Sequence, residues 1–421
     1  MKNIRQSLLG ATGVLLGLST PASGQTEDAW KVDVGLMNYV EQDRNTGLEL
    51  LINARRDLLD GDEIKLGVEI DTLTGATPNG ATASNVPQTF TQASGAGSYQ
   101  VGANELPVDN THMDTRLAIA AAYRDQTSDK LSVSYNGRMS MEFDYLSLAA
   151  GNSYEWDFNQ KNTRLFLGLN GEYNRVHPVG NIPNPLSLMT PAGSQQNRGI
   201  ASDSRRAVEV ALGVTQVIDY QSLVQVRFSQ SYLSGYVTDP YKILSIIDDQ
   251  NTTNLGGTLA YRYENRPDTR DVKTIYLGYK RDIQSGVVDV SLRRSEDDWD
   301  VRSTTLELRY RHELETGSYL QPQLRFYRQQ QAKFFRHSLT SSEPLPSYAS
   351  ADTRLASFDA TAVGIKYGSS IVAHRRHSFV AEYYTQKGES HPVDAVGIQK
   401  QQDLFPRLKT LVLKYLYTSE W

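Results

Sequence analysis

Apolar and polar residues alternate along most of the chain after residue 30, and the last segment shows the pattern most clearly. Its apolar face consists of Leu411, Leu413, Tyr415, Tyr417, Ser419 and Trp421, whereas the intervening positions are mixed and charged. A period of two residues predicts a strand, because successive side chains of a strand point to opposite faces. The aromatic end of this face favours a strand that leaves a lipid bilayer, where amphipathic rings prefer the headgroup region.

Seventeen runs of this kind follow one another along the chain. They are 31–40, 47–57, 63–72, 116–124, 130–147, 154–159, 164–173, 208–215, 222–235, 253–264, 271–281, 287–294, 304–313, 318–330, 355–368, 377–387 and 408–421. Most are long enough to cross a bilayer as a tilted strand. Single-chain bacterial barrels have even strand numbers, so one run is misassigned, and strand parity counted from the two ends clashes between Val237 and Asp300. We predict an all-β fold, a transmembrane antiparallel up-and-down β-barrel of about 16 strands, with 14 or 18 as neighbouring values.

Four polar segments between these runs are predicted to be long external loops. They are 73–111, 176–204, 336–353 and 388–405, whereas the short turns 126–129 and 315–317 are assigned to the periplasmic side. Loops of this length in a compact domain are usually functional or disordered. The segment 73–111 either lies outside the barrel or folds into its lumen. The soluble alternatives are a large β-sandwich or a propeller, and the absence of a blade-length repeat counts against the propeller.

The N-terminus has the pattern of a secretory signal peptide. Lys2 and Arg5 precede an apolar segment from Leu8 to Leu18, and small residues follow up to Gly24. This segment is too short for a transmembrane helix. We therefore expect a cleaved signal at 1–24, a mature barrel at 25–421 and export to the Gram-negative outer membrane.

Composition narrows the class of partner. The net charge is −5, or −7 once the two cations of the signal segment are removed, which argues against nucleic acid. The chain has no cysteine and thus no disulfides, as suits a protein that crosses an oxidising periplasm. The 24 tyrosines fit a protein with many rings at a wet boundary.

Charged residues on the polar faces of the runs are the candidates for lining a lumen. They are Arg116, Arg227, Arg262, Glu264, Glu307, Arg309, Arg311 and Arg325. In a water-filled barrel such residues either select solutes or brace the wall as ion pairs, and the mixture of signs favours bracing for most of them. No catalytic motif, cofactor-binding motif or paired-ligand metal motif is present, so no enzyme is expected. The acidic segment 296–300 reads as a solvated turn rather than a calcium site.

Five segments together resemble a family of Gram-negative exported proteins that is classified only as a domain of unknown function. They are 74–81 (TGATPNGA), 238–242 (TDPYK), 264–268 (ENRPD), 297–303 (DDWDVRS) and 348–355 (YASADTRL). The resemblance covers nearly the whole mature chain and implies an outer-membrane β-barrel without an assigned catalytic role. It also implies a link to a small lipoprotein, a thioredoxin-like protein and a flavin-attaching enzyme.

The final strand is similar to the C-terminal assembly signal of outer-membrane barrels, with Leu411, Leu413, Tyr415, Tyr417 and Trp421 in the pattern and Ser419 departing from it. The expected partners are therefore outer-membrane lipid, the assembly machinery with its periplasmic chaperones, and a periplasmic lipoprotein or redox protein. The function predicted from the sequence is a channel or a surface-exposed transport or binding protein. The alternatives are an outer-membrane enzyme and an anchoring component of an envelope redox or flavin-linked system.

Overall fold

A computed structural model describes residues 29–58, 61–75, 78–91, 97–109, 113–191, 194, 197–314, 317–372 and 375–420. The predicted signal peptide and the terminal residue Trp421 of the predicted assembly signal lie outside the described residues. The strands are β1 (Trp30–Glu41), β2 (Thr46–Asp57), β3 (Glu63–Thr74), β4 (Gln88–Thr91), β5 (Ser98–Val101), β6 (Met113–Ser128), β7 (Leu131–Glu142), β8 (Tyr145–Phe158), β9 (Thr163–Val176), β10 (Asp203–Asp219), β11 (Ser222–Gly235), β12 (Ile243–Ile247), β13 (Thr258–Tyr263), β14 (Thr269–Ile283), β15 (Gly286–Asp297), β16 (Arg302–Glu313), β17 (Tyr319–Gln329), β18 (Leu339–Thr340), β19 (Phe358–Val372), β20 (Arg375–Gly388) and β21 (Leu408–Glu420). Short 3₁₀ turns lie at Thr353–Leu355 and Gly397–Gln401.

Sixteen of these strands form one closed antiparallel barrel in the order β1-β2-β3-β6-β7-β8-β9-β10-β11-β14-β15-β16-β17-β19-β20-β21. The first and last strands close it, with Gly35 opposite Leu416. Closure removes the free edges that an open sheet would expose. The predicted fold class is therefore confirmed.

The outer surface of the barrel is apolar. Many large apolar side chains point outward, and four of them, Leu48, Leu66, Val210 and Leu413, are 40–52% exposed. A soluble protein rarely exposes so continuous an apolar band, whereas a transmembrane barrel needs one against lipid hydrocarbon. The barrel therefore has the architecture of Gram-negative outer-membrane proteins. The described residues include no helix with the length and hydropathy needed to cross a membrane.

The two ends of the barrel differ. At one end, the short-turn end, neighbouring strands are joined by brief connections such as those between β10 and β11 and between β14 and β15. At the other, the long-loop end, the chain between wall strands runs through residues 75–112, 177–202, 236–268, 330–357 and 389–407. In outer-membrane barrels the short turns are periplasmic and the long loops face outward.

The described parts of these five long segments pack together into a unit that we call the cap. A three-stranded sheet in the order β13-β12-β18 lies at its centre, and the hairpin β4-β5 packs beside it. Strand β12 comes from the segment after β11, and it pairs in parallel with β18 from the segment after β17. The cap thus joins loops that leave the barrel at different points of its circumference.

One predicted wall strand is wrong. The run 253–264 corresponds to β13 at Thr258–Tyr263, which pairs with β12 in the cap and not with the barrel. Its alternation comes from packing against the cap, so the pattern resembled a wall strand. Removing it from seventeen runs leaves the sixteen wall strands, and it lies in the region where strand parity clashed. The run 130–147 divides into β7 and the start of β8, and 154–159 overlaps the end of β8.

Candidate functional site: the barrel interior and the cap

The barrel interior is polar, and along β16 its exposure to water rises toward the short-turn end. Inward positions of β16 show this directly: the side chains of Glu307, Arg309, Arg311 and Glu313 are 16%, 20%, 36% and 49% exposed, in that order along the strand. Near the long-loop end, inward residues such as Tyr145, Ala360 and Thr410 are at most 4% exposed. The interior is therefore buried at the long-loop end and more open to water along β16 toward the short-turn end, whereas the inward residues Ser132, Asp157 and Ser378 near that end are 3–7% exposed.

Arg116 belongs to a buried ion-pair network on the inner wall near the long-loop end. Its Nε lies 2.6 Å from Asp71 Oδ2, and its Nη2 contacts Glu69. Arg138 Nη2 lies 3.0 Å from the other oxygen of Glu69. Because the acids lie on β3 and the arginines on β6 and β7, this network holds three neighbouring strands together.

Glu307, Arg309 and Arg325 are brought together on β16 and β17. Glu307 accepts from Arg309, and Arg325 Nη2 lies 3.4 Å from the same carboxylate. Arg311 instead pairs with Glu313 at 2.5 Å. These three arginines all have a carboxylate partner.

Arg227 is placed differently from the other candidates. Its guanidinium lies over the ring of Phe166, 4.7 Å from the ring centroid. Among the described residues no carboxylate oxygen lies within 4.0 Å of it.

Arg262 and Glu264 do not line the barrel wall, which corrects their predicted placement. Arg262 is on β13 and donates from Nη1 to the carbonyl oxygen of Leu186 at 2.5 Å. Glu264 follows β13 and is only 1% exposed. Both are cap residues, because the strand that carried them in the prediction belongs to the cap sheet.

Glu264 is part of a buried charge cluster inside the cap. The cluster contains three carboxylates and three cations: Asp239, Glu264, Asp352, Lys242, Arg266 and Arg354. Arg266 contacts Glu264 at 2.6 Å and Asp352 at 2.8 Å. Arg354 Nη2 contacts Asp239 at 2.8 Å, and Lys242 Nζ donates to the carbonyl oxygen of Pro78 at 2.5 Å. Balanced charge with many hydrogen bonds is the condition under which charged groups tolerate burial.

The charges within the cluster determine the pKa values of its acids. Burial opposes ionisation of Asp352, but Arg354, Arg266 and Lys242 together outweigh it and hold the pKa well below its ordinary value. The pKa of Asp239 is lowered in the same way, against burial, by Arg354 and Lys242. Burial raises the pKa of Glu264 despite its contact with Arg266. Burial also lowers the pKa of Lys242.

The segments that carry the family resemblance meet in and around this cluster. Segment 238–242 supplies Asp239 and Lys242, segment 264–268 supplies Glu264 and Arg266, and segment 348–355 supplies Asp352 and Arg354. Segment 74–81 contributes the carbonyl of Pro78. The remaining segment contributes Trp299, which is 1% exposed, packs edge-on against Phe334 and lies under the guanidinium of Arg270. Of the six cluster residues, reasoning from residue types singled out only Glu264, as a candidate for lining the lumen.

Apolar clusters hold the cap against the barrel mouth. One contains Trp299, Phe334 and Phe405 and packs against inward wall residues Tyr327 and Tyr384. Another joins Phe90 of the β4-β5 hairpin to Ile243 and Tyr263 of the cap sheet. Segment 73–111, whose position was open in the sequence, therefore contributes a hairpin to the cap. Among the described residues, no group of three acidic or histidine side chains could hold a metal ion.

Several solved structures are similar to the chain in fold. The siderophore receptor PirA from Acinetobacter baumannii matches with a TM-score of 0.43 and 11% identity over 87% of this chain and 53% of its own, so this chain spans about half of that receptor. A bacterial polysaccharide outer-membrane secretin matches with a TM-score of 0.48 and 9% identity over 94% and 100%. The CymD monoaromatic hydrocarbon channel matches with a TM-score of 0.39 and 10% identity over 98% and 93%.

No curated protein with which the chain was compared matches it in sequence. The family model described as "Protein of unknown function (DUF3570)" matches residues 5–419, and the chain therefore belongs to this family.

Proposed function

We propose that the protein is an outer-membrane channel whose mouth is closed by the cap. The observation that carries this proposal is the rise in exposure along the inward face of β16, from 16% at Glu307 to 49% at Glu313. A barrel that only anchors a partner does not need a water-filled interior, whereas a channel does. The role requires no catalytic residue.

Opening in this proposal is a movement of the cap. The cap is held by paired loops, apolar contacts and the charge cluster, and each joins segments that leave the wall at different strands. A transition of this kind needs an element with two arrangements separated by a small free energy. The buried charges suit that purpose, because they stabilise the closed arrangement only while all partners are in place.

Planar lipid bilayer recordings of the purified full-length mature protein test the proposal. We expect rare openings for the wild type and a higher open probability for Asp352→Asn, which removes a charge from the cluster. The matched control is Asp359→Asn, since Asp359 pairs with Arg328 in an exposed position where both side chains are more than half accessible. If wild type and Asp352→Asn both fold into the bilayer and neither conducts, the channel proposal is wrong and the anchoring role replaces it.

In this proposal, the outer face of the barrel determines which partners it contacts. Outer-membrane lipid covers the apolar band, and β21 is the strand that the assembly machinery recognises, with Leu411 and Leu413 exposed on its outer face. The link to a periplasmic lipoprotein or redox protein stays a proposal that rests on the family resemblance alone.

A further inference from the structure

Seven inward residues lie in one row across the inner wall, each directly opposite the next on the neighbouring strand. The row is Phe166, Gly213, Arg227, Tyr276, Arg293, Thr305 and Tyr327. Two of its members are arginines, and they are separated by Tyr276 on the strand between them. Their backbones are therefore about 10 Å apart, two strand spacings.

The aromatic side chains of Phe166 on β9 and Tyr276 on β14 lie against glycines of the wall. A Cβ atom at Gly168 would lie 2.9 Å from the ring of Phe166, and one at Gly213 would lie 3.4 Å from the Phe166 side chain. A Cβ atom at Gly278 would likewise lie 2.9 Å from Tyr276 Oη. Glycine at these positions is what allows the rings to lie along the wall, which gives the interior an aromatic surface here.

The two arginines are held against this aromatic surface. Arg227 lies 4.7 Å from the ring centroid of Phe166, and Arg293 lies 5.8 Å from that of Tyr276. In such stacking the flat face of the guanidinium contacts the ring, and the N–H groups at its edge remain available for other partners. Arg293 is exposed to the interior, and Nε of Arg227 has no hydrogen-bond partner among the described residues.

The carboxylates of Glu155 and Glu209 interact electrostatically with Arg227 but do not contact its guanidinium. The inward neighbours of Arg227 on its own and adjacent strands are small or uncharged: Ala211, Gly213, Thr215, Gln225, Ser229, Thr274, Tyr276 and Gly278. On the described strands β14, β15 and β16, the one acidic inward neighbour of Arg293 is Glu307, and that carboxylate is already in contact with Arg309 and Arg325. Among the described residues no carboxylate oxygen lies within 4.0 Å of either guanidinium. By contrast, the inward arginines Arg116, Arg138, Arg164, Arg309 and Arg325 all have carboxylate partners.

We propose that Arg227 and Arg293, with the rings of Phe166 and Tyr276, form a binding site in the lumen for a small organic anion. The inference rests on the proposed channel function for its role in passage. The guanidinium edges provide parallel N–H donors that match a carboxylate or a phosphate. The aromatic surface contacts the apolar part of the solute, so an aromatic carboxylate fits the site better than acetate.

Equilibrium binding to the purified full-length protein in detergent tests the site without requiring conduction. The probes are benzoate, acetate and inorganic phosphate, and titration calorimetry measures the binding of each. We expect benzoate to bind more tightly than acetate, and the double variant Arg227→Gln/Arg293→Gln to weaken benzoate binding at least tenfold. Arg227→Lys keeps the charge but loses the paired donors and should fall between wild type and Arg227→Gln. Phe166→Leu should reduce the preference for benzoate over acetate.

Arg328→Gln is the matched control, because it removes an arginine that lies outside the lumen and pairs with Asp359. Binding of no probe by the wild type, or equal binding by the double variant and the wild type, overturns the site. Reversal potentials in a potassium chloride gradient provide the second readout, and we expect the double variant to lose anion preference. A protein that binds benzoate through these arginines but never conducts keeps the site and refutes the channel.

Discussion

Arg266 and Asp352 are 86 residues apart in the chain, yet their side chains meet at 2.8 Å and are both at least 97% buried. Arg266 lies in the segment that returns to the wall at β14, and Asp352 lies in the segment that enters β19. Their contact therefore joins two loops across the barrel mouth. Because Arg266 also contacts Glu264 and Asp352 also contacts Arg354, removal of either partner leaves uncompensated charge in the cap.

Asp352→Asn should loosen the cap while the barrel remains folded. Loss of one partner from a buried ionic cluster costs about 3–5 kcal/mol, and the two arginines that face Asp352 would remain charged. We expect the amide hydrogens of β12 to exchange faster in the variant, whereas those of β1 and β21 keep their wild-type rates. Hydrogen exchange read by mass spectrometry separates the two regions.

Asp359→Asn provides the comparison with the same chemical change in an exposed ion pair. Arg328 and Asp359 are 80% and 59% exposed, so solvent replaces the lost contact. Exchange in β12 should be unchanged. Equal protection of β12 in Asp352→Asn and wild type would show that the cluster does not hold the cap.

A disulfide between residues 265 and 349 should lock the closed arrangement. Asn265 and Ala349 exchange two backbone hydrogen bonds, at 3.0 and 2.9 Å, across an isolated bridge between the same two loops. Such a pair has Cα atoms about 5.5 Å apart, within the range that a disulfide spans. We expect the oxidised Asn265→Cys/Ala349→Cys variant to stop opening in bilayer recordings and to recover after reduction.

The chain's lack of cysteine makes this measurement clean, since the introduced pair is the only source of thiols. Each single cysteine variant serves as the control and should open as the wild type does in both redox states. Openings that persist unchanged after complete oxidation would mean that conduction does not require these loops to separate.

The strands of the wall could be predicted from sequence because each has one face in lipid and the other in water. That environment imposes a two-residue period, which is visible without any knowledge of neighbouring strands. The same two-residue period led to the wrong assignment of 253–264 as a wall strand. Thr258–Tyr263 also has two different faces, but it packs in the cap sheet. Only the pairing of β13 with β12 distinguishes the two cases, and pairing is not a local property of sequence.

The interior site was accessible from sequence only in part. Arg227 was among the predicted lumen residues since it occupies a polar position of its run, but Arg293 was not, although it occupies the inward face of β15. Their shared row depends on the register between β11, β14 and β15, which the sequence of one strand does not determine. The cap cluster is a similar case, because Asp239 and Glu264 of one loop and Asp352 of another become neighbours only through the packing of the cap.

Acid should open the cap, but only below the ordinary range of carboxylate titration. The lowered pKa values of Asp239 and Asp352 mean that their ionised forms stabilise the folded cap above their ordinary pKa of 3.8, and this stability is lost as the pH falls through the lowered values. The raised pKa of Glu264 acts in the opposite sense, and its contribution is complete below pH 4.5. Below pH 4 these two aspartates lose their stabilising contribution, as does Asp249 of the cap, whose pKa is lowered by hydrogen bonds from Ser342 and Ser341.

Acrylamide quenching of Trp299 measures this opening, in a variant whose other three tryptophans are replaced by phenylalanine. Trp299 is 1% exposed in the closed cap, so quenching should remain low from pH 7 to pH 4.5 and increase at lower pH. Asp352→Asn should increase quenching already at pH 7 and show a weaker pH response. Increased quenching between pH 7 and pH 5 in the wild type would contradict the assignment.

A charge on the outer face of β21 should impair membrane insertion, whereas the same charge on its inner face should not. Leu413 is 46% exposed on the outer surface near the middle of the strand, and Leu416 points inward against Gly35. A lysine that faces lipid near the midplane costs about 2–4 kcal/mol, whereas the flexible stem of an inward lysine reaches the water of the interior. We expect Leu413→Lys to lower the urea concentration at which the protein unfolds from lipid vesicles, and Leu416→Lys to remain close to wild type. Heat-modifiable gel migration measures the folded fraction at each urea concentration. The reverse order would mean that the apolar face of β21 does not contact lipid, and the proposed orientation of every wall strand would fail with it, because the barrel register links them all.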